Sequence, residues 1–194
     1  MILTLKEKKR VKRLYKHSKK GKRVICYDEF APIELRPSHG STWSNQTKPE
    51  RLPATYTRKE GVRNFLSSYD LTDDKLWGYF KERKRWNDVL SVLKLIRRRY
   101  PTKERLYFVM DNFSPHKRSE LEIWSSRSNV EIEFTPTNAS WLNRIECQFT
   151  EMKKFVFDNT NFQSHQEVKK SMYKFLGYRN RRNKKRNLIN LKRH

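Results

Sequence analysis

Leu106-Tyr107-Phe108-Val109-Met110-Asp111-Asn112-Phe113-Ser114-Pro115-His116 is the stretch that decides how this chain folds. Its apolar run stops on an acid and then on Ser-Pro turn signals, the pattern of a buried strand with a carboxylate at its carboxyl end. Val24-Ile25-Cys26-Tyr27-Asp28 repeats that pattern upstream. Downstream, Ser140-Trp141-Leu142-Asn143-Arg144-Ile145-Glu146 opens a helical pattern. There Leu142, Ile145, Phe149, Met152 and Phe155 recur at spacings of three and four, and Glu146 falls in the first turns. Between Asp111 and Glu146 lie 34 residues. Parallel neighbours in a sheet put their carboxyl ends at one edge, so a helix packed across that edge adds Glu146 to Asp28 and Asp111. Three carboxylates there are able to hold hard divalent cations through oxygen. Taken singly, each acid is more often a turn or cap residue.

Composition restricts the partner. The chain has 45 Lys and Arg against 21 Asp and Glu, a net charge of +24 and a pI of about 10.2, so the partner is expected to be a polyanion. A ribosomal protein would share that charge. However, 13% aromatic residues, including 5 Trp, and several apolar runs imply a packed core, and 194 residues suit one domain. The two cysteines, Cys26 and Cys147, argue against a disulfide scaffold or a cysteine zinc site and are expected to be buried thiols. No apolar stretch approaches the roughly 18 residues of a membrane span, and Met1-Ile2-Leu3-Thr4 runs straight into charges. The expectation is a cytoplasmic protein that acts on DNA, with no membrane partner. There is no G-x-x-x-x-G-K-[ST] loop, no His-Glu-x-x-His helix and no internal repeat, so ATP-driven and zinc-hydrolase chemistry have no support.

Residues 1–22 form a basic arm, helical or extended, in which Val11, Leu14 and Tyr15 are the residues expected to touch a core. From Ile33 to Phe80 the signals are strand-like and turn-rich, and predict an antiparallel meander leaving the Asp28 strand. Trp43, in the loop His39-Gly40-Ser41-Thr42-Trp43-Ser44, suits either stacking on a base or the core. Trp86, Val89, Leu90, Leu93 and Ile96 predict an amphipathic helix over 84–99, ending before Tyr100-Pro101. His116 suits contact with a phosphate, ordering of a metal site, or a structural place at a helix start. In 161–194, Val168, Met172, Phe175 and Leu176 form a helix face. A run from Arg179 to Arg186, with six basic residues in eight, follows as a phosphate-contacting or solvated end.

From about Val24 to about Arg182 the chain resembles a bacterial insertion-sequence transposase of the mariner-like superfamily. The resemblance rests on Ile25-Cys26-Tyr27-Asp28-Glu29-Phe30, on Met110-Asp111-Asn112-Phe113-Ser114-Pro115-His116 and on Pro136-Thr137-Asn138-Ala139-Ser140-Trp141-Leu142-Asn143-Arg144-Ile145-Glu146. Arg51-Leu52-Pro53-Ala54-Thr55-Tyr56-Thr57 and Tyr69-Asp70-Leu71 are similar to the family's connecting meander. Many relatives carry Pro where this chain has Arg144, a subgroup difference that removes no ligand.

The resemblance implies an α/β, ribonuclease-H-like fold: a mixed five-stranded sheet flanked by helices, with an Asp-Asp-Glu catalytic domain over 23–160 between the arm and the C-terminal helix and tail. It also implies Asp28, Asp111 and Glu146 as catalytic and metal-holding residues, with Asn112, His116, Trp43 and Arg144 as candidate DNA contacts. Two magnesium ions about 3.5–4 Å apart, which manganese is able to replace, would then support in-line displacement at phosphorus. Spacing alone implies a two-metal nuclease; the resemblance adds cutting at the ends of an element and joining of the 3′ ends to target DNA. Double-stranded DNA is thus the expected partner, and a homodimer the expected assembly. Relatives usually carry a helix-turn-helix region before the catalytic domain, whereas a short basic stretch stands here, so the expectation is a fragment with poor sequence selectivity. The competing reading is a basic nucleic-acid-binding protein without catalysis, which gains nothing from three converging carboxylates because they repel phosphate unless metal intervenes.

Overall fold

The computed structural model describes residues 2–18, 23–35, 47, 61–137, 139–158 and 160–191, and in it five strands form a mixed sheet. The strands are β1 (Arg23–Ile33), β2 (Arg63–Asp70), β3 (Lys75–Lys81), β4 (Leu106–Met110) and β5 (Val130–Phe134), in the order β3-β2-β1-β4-β5. The first three make an antiparallel meander, as expected, with Arg51 to Thr57 lying outside the described residues, while β4 and β5 run parallel to β1. The helices are α1 (Ile2–Ser18), α2 (Trp86–Arg97), α3 (Ser119–Arg127), α4 (Glu146–Phe157) and α5 (His165–Leu191).

Strand alternation divides the core in two. Val24 and Cys26 of β1 point to the face covered by α1, α4 and α5; Ile25 and Tyr27 point to the face covered by α2 and α3. On the first face Val11, Leu14 and Tyr15 pack with Met152, Val156, Val168, Met172 and Phe175, so the basic first helix joins the core through the three residues expected to do so. On the second, Val89, Leu93 and Ile96 of α2 meet Phe108 and Met110. Each fully buried aliphatic or Phe side chain contributes about 1.5–3 kcal/mol. Gly78 allows one close approach, since a Cβ there would lie 2.1 Å from the Phe65 ring.

Several details differ from expectation. β1 does not end at Asp28: it loses β4 after the Cys26–Val109 pair, yet stays paired with β2 through Asp28–Ser67, Glu29–Leu66 and Phe30–Phe65. The continuing antiparallel ladder satisfies its backbone, and the register shift between Phe30 and Ile33 accommodates Pro32, which has no N–H to give. On α4 the buried row is Phe149, Met152 and Val156. Phe155 is 42% exposed and leans on Phe175 and Tyr178 of α5. Cys147 is exposed rather than buried, because the next residue after Glu146 turns away from the sheet.

Arg179, read as part of a solvated or phosphate-contacting run, is 1% exposed. It donates to Asp74 Oδ1 at 2.6 Å, the Asp74 carbonyl at 2.6 Å and Gln148 Oε1 at 2.8 Å, tying α5 to the β2–β3 turn and to α4. No helix among the described residues is long and apolar enough to cross a membrane.

Candidate active site

Asp28 sits where β1 loses its parallel neighbour, on the same side of the strand as Cys26, and so faces α4. Asp111 is the residue after β4, and Glu146 the first residue of α4. Asp28 is 8% exposed; its Oδ1 accepts the Glu29 N–H at 2.8 Å, and the Asn143 amide lies 3.4 Å from its Oδ2. Burial, then the charges of Asp111, Glu29 and Glu146, push its carboxyl up to about 7, against the bond from Glu29 that lowers it. Burial likewise raises Glu146, opposed by a hydrogen bond shared with Asp28 and reinforced by the charge of Asp111. Two carboxyls share such a bond only if one of them carries the proton. All three acids therefore act on one another electrostatically. Among the described residues no three acid, His or Cys side chains close around one point at ligand spacing.

The site nevertheless fits hard cations. Its donors are carboxylate oxygens, the type that magnesium and manganese prefer. Their mutual repulsion raises the proton affinity of Asp28, and a divalent ion would relieve the same repulsion with more charge. Asn143, which anchors through Nδ2 to the Tyr27 carbonyl at 2.8 Å, leaves its buried Oδ1 without a hydrogen-bond partner.

Asp111 is held from the other side. His116 Nδ1 lies 2.8 Å from Asp111 Oδ1, and His116 Nε2 lies 2.8 Å from Glu29 Oε1. Glu29 reaches the histidine because it alternates with Asp28 and points to the opposite face of the sheet. Burial lowers the imidazole's proton affinity, but hydrogen bonds to Asp111 and Glu29 outweigh it and lift the group to about 9, so at neutral pH a charged His116 donates to both. For Asp111, burial raises the carboxyl, but the bond and charge of His116, the Phe113 N–H at 3.1 Å and the charge of Lys84 bring it below its ordinary value. One carboxylate is thus held ionised and its neighbour Asp28 near half-protonation at neutral pH.

The other candidates are more dispersed. His116 has a fully buried side chain, packed edge-on against Tyr27 and Phe113, and does not face solvent. The Asn112 amide donates to the Thr135 carbonyl, clipping the ends of β4 and β5 together. Arg144 is exposed, with its guanidinium 4.5 Å from the Tyr15 ring centroid. Trp43 lies outside the described residues. Sequence reasoning missed Glu29 and Asn143. Glu29 is signalled only by strand alternation beside Asp28, and Asn143 only by its place three residues before Glu146.

Residues 23–169 match a family model described as DDE superfamily endonuclease. No curated protein sequence matches the chain. Among solved structures, a Mos1 transposase paired-end complex with left transposon end superimposes with a TM-score of 0.68 at 16% identity, covering 90% of this chain and 53% of that one. The mariner Mos1 paired-end complex with Mg gives 0.63 at 14%, covering 88% and 53%. A simian T-cell lymphotropic virus intasome gives 0.54 at 11%, covering 77% and 46%. At these identities the likeness is one of fold, the ribonuclease-H-like mixed sheet flanked by helices. The chain spans about half the length of the Mos1 chains it matches.

Proposed function

Because the chain belongs to the DDE superfamily of endonucleases, we propose that it is the catalytic domain of a DNA transposase of bacterial insertion-sequence type, which cleaves DNA at element ends and joins the 3′ ends to a target. The observation that carries this reading is the placement of the three acids: Asp28 where β1 and β4 part, Asp111 directly after β4, and Glu146 opening α4, with Asn143 just before that helix reaching Asp28. In this reading Asp28, Asp111 and Glu146 hold the divalent ions. When bound, these ions supply Lewis acidity for displacement at phosphorus by water or a DNA 3′-hydroxyl. His116 fixes Asp111 in its ionised form, Glu29 holds the far side of His116, and Asn143 orients Asp28. The surplus of Lys and Arg binds the phosphate backbone of double-stranded DNA without reading its bases.

Bringing two element ends to one target calls for two such acid sets, so the working unit is taken to be a homodimer. A bacterial element also places the reaction in the cytoplasm. A binding protein without catalysis is disfavoured, since three crowded acids weaken a phosphate surface and contribute nothing to it.

Supercoiled plasmid incubated with the chain and magnesium, alongside Glu146→Gln and an EDTA control, tests the proposal. Expected are nicks from the wild type alone, with plasmid binding retained by the variant. Nicking by Glu146→Gln that still needs magnesium would make Glu146 a helix-surface acid and overturn the assignment.

A further inference from the structure

Beside the third acid, α1 and the 3₁₀ turn Ser140–Leu142 build a surface that the chemistry above does not use. Tyr15 OH donates to the Leu142 carbonyl at 2.7 Å, which docks α1 against the turn leading to Glu146. Lys12, Tyr15, Lys16 and Arg144 line a concavity of about 340 Å³ with no acid in its wall among the described residues. Lys12, Lys16 and Arg144 are exposed, and none forms an ion pair among the described residues. Further along α1, at Lys8, Trp141 is 65% exposed, with Lys8 Nζ 5.9 Å from its ring centroid. Lys8, Lys12 and Lys16 recur every four residues on one face of α1. At 1.5 Å per residue that row is about 12 Å long, enough for more than one phosphate of a strand.

Three exposed cations on one concave surface, with no ion pair to an acid among the described residues, focus a positive potential that draws a polyanion to it. An indole left two-thirds in water beside them offers a π face to a base. Within a duplex the bases are stacked on one another and only the terminal pair shows a face, whereas an unpaired strand presents each base together with its own phosphates. We infer that Trp141, Lys8, Lys12, Lys16 and Arg144 form a subsite for unpaired DNA next to the acids, stacking a base on Trp141 and seating its phosphates between α1 and Arg144. The subsite gives the chain a preference for frayed or already opened DNA ends over closed duplex. This inference rests on the proposed DNA substrate, and deepens it.

Fluorescence-anisotropy titration of the full chain in EDTA, with a blunt duplex and with a forked duplex unpaired for about ten nucleotides at one end, tests it. The wild type is expected to prefer the fork. Trp141→Ala is expected to lower the affinity for the fork by about 5- to 100-fold, bringing it toward that for the blunt duplex, and Trp141→Phe to keep most of the preference. Substituting Lys12→Gln, Lys16→Gln and Arg144→Gln together is expected to flatten the log–log salt dependence on the fork by about 2, from about 0.7 per strand phosphate. Equal binding of fork and blunt duplex by the wild type, an undiminished preference in Trp141→Ala, or an unchanged salt slope in the triple variant overturns the subsite. Failure to bind either DNA at low salt would instead remove the proposed function itself.

Discussion

Replacing His116 with alanine tests how the Asp111 carboxylate is held. The imidazole is fully buried, and Glu29, its partner 2.8 Å from Nε2, has a side chain only 4% exposed. Removing the histidine leaves Glu29 as a buried carboxylate without its cation. Breaking a buried pair by deleting one partner costs about 3–5 kcal/mol. Asp111 adds little to that cost, since it is 35% exposed and keeps the Phe113 N–H. For a domain of this size about 2–4 °C is lost per kcal/mol, so the melting temperature is expected to fall by about 6–20 °C. Thermal unfolding followed by circular dichroism in EDTA measures this with no metal at the acids. Adding Glu29→Gln to His116→Ala is expected to recover much of the loss, because a neutral amide is cheaper to bury than a charge. A loss below about 1 kcal/mol, or no recovery in the double variant, would refute the argument that Glu29 and His116 act as a buried pair.

Other expectations are more local. Arg179→Met severs the bonds from α5 to Asp74 and Gln148 and is expected to destabilise by about 1.5–3 kcal/mol, as charged hydrogen bonds do, read from urea midpoints. Gly78→Ala forces a Cβ into the Phe65 ring and is expected to cost about 1–3 kcal/mol in the same assay. Glu133 is raised from 4.5 to about 7 by burial and by Glu131, despite the opposing Arg10. The folded state therefore holds a proton that the unfolded chain releases, and stability should fall as pH rises from about 4.5 to about 7; Glu133→Gln should flatten that fall in melting curves taken across the range. Affinity for blunt duplex is expected to drop about tenfold or more between about 50 and 200 mM salt in anisotropy titrations, because its source is phosphate contact.

Much of this was legible in the chain because the signals were local. The run Leu106 to Met110 ending on Asp111 is a strand with its acid at the carboxyl end, and the three-and-four spacing of Trp86 to Ile96 is helix α2. Asp28 was legible as an acid at the edge where β1 and β4 part, but not as a mid-strand residue. Its apolar run ends where burial on both faces ends, while the strand continues on pairing with β2 alone. Glu29 with His116 and Arg179 with Asp74 were not legible. Their partners stand 87 and 105 residues apart, and nothing local distinguishes a buried, paired charge from a solvated one. Phe155 was misassigned because spacings of three and four allow it and Val156 alike, and the placement of α5 decides between them.

The most direct test of the account is Mn²⁺ binding, counted by electron paramagnetic resonance on the wild type and on Asp28→Asn, Asp111→Asn and Glu146→Gln. If these three carboxylates form one metal-holding site, the wild type binds the ion and each single variant loses most of that binding while keeping its fold by circular dichroism. A wild type that binds no Mn²⁺, or variants that bind it as well as the wild type does, would contradict it.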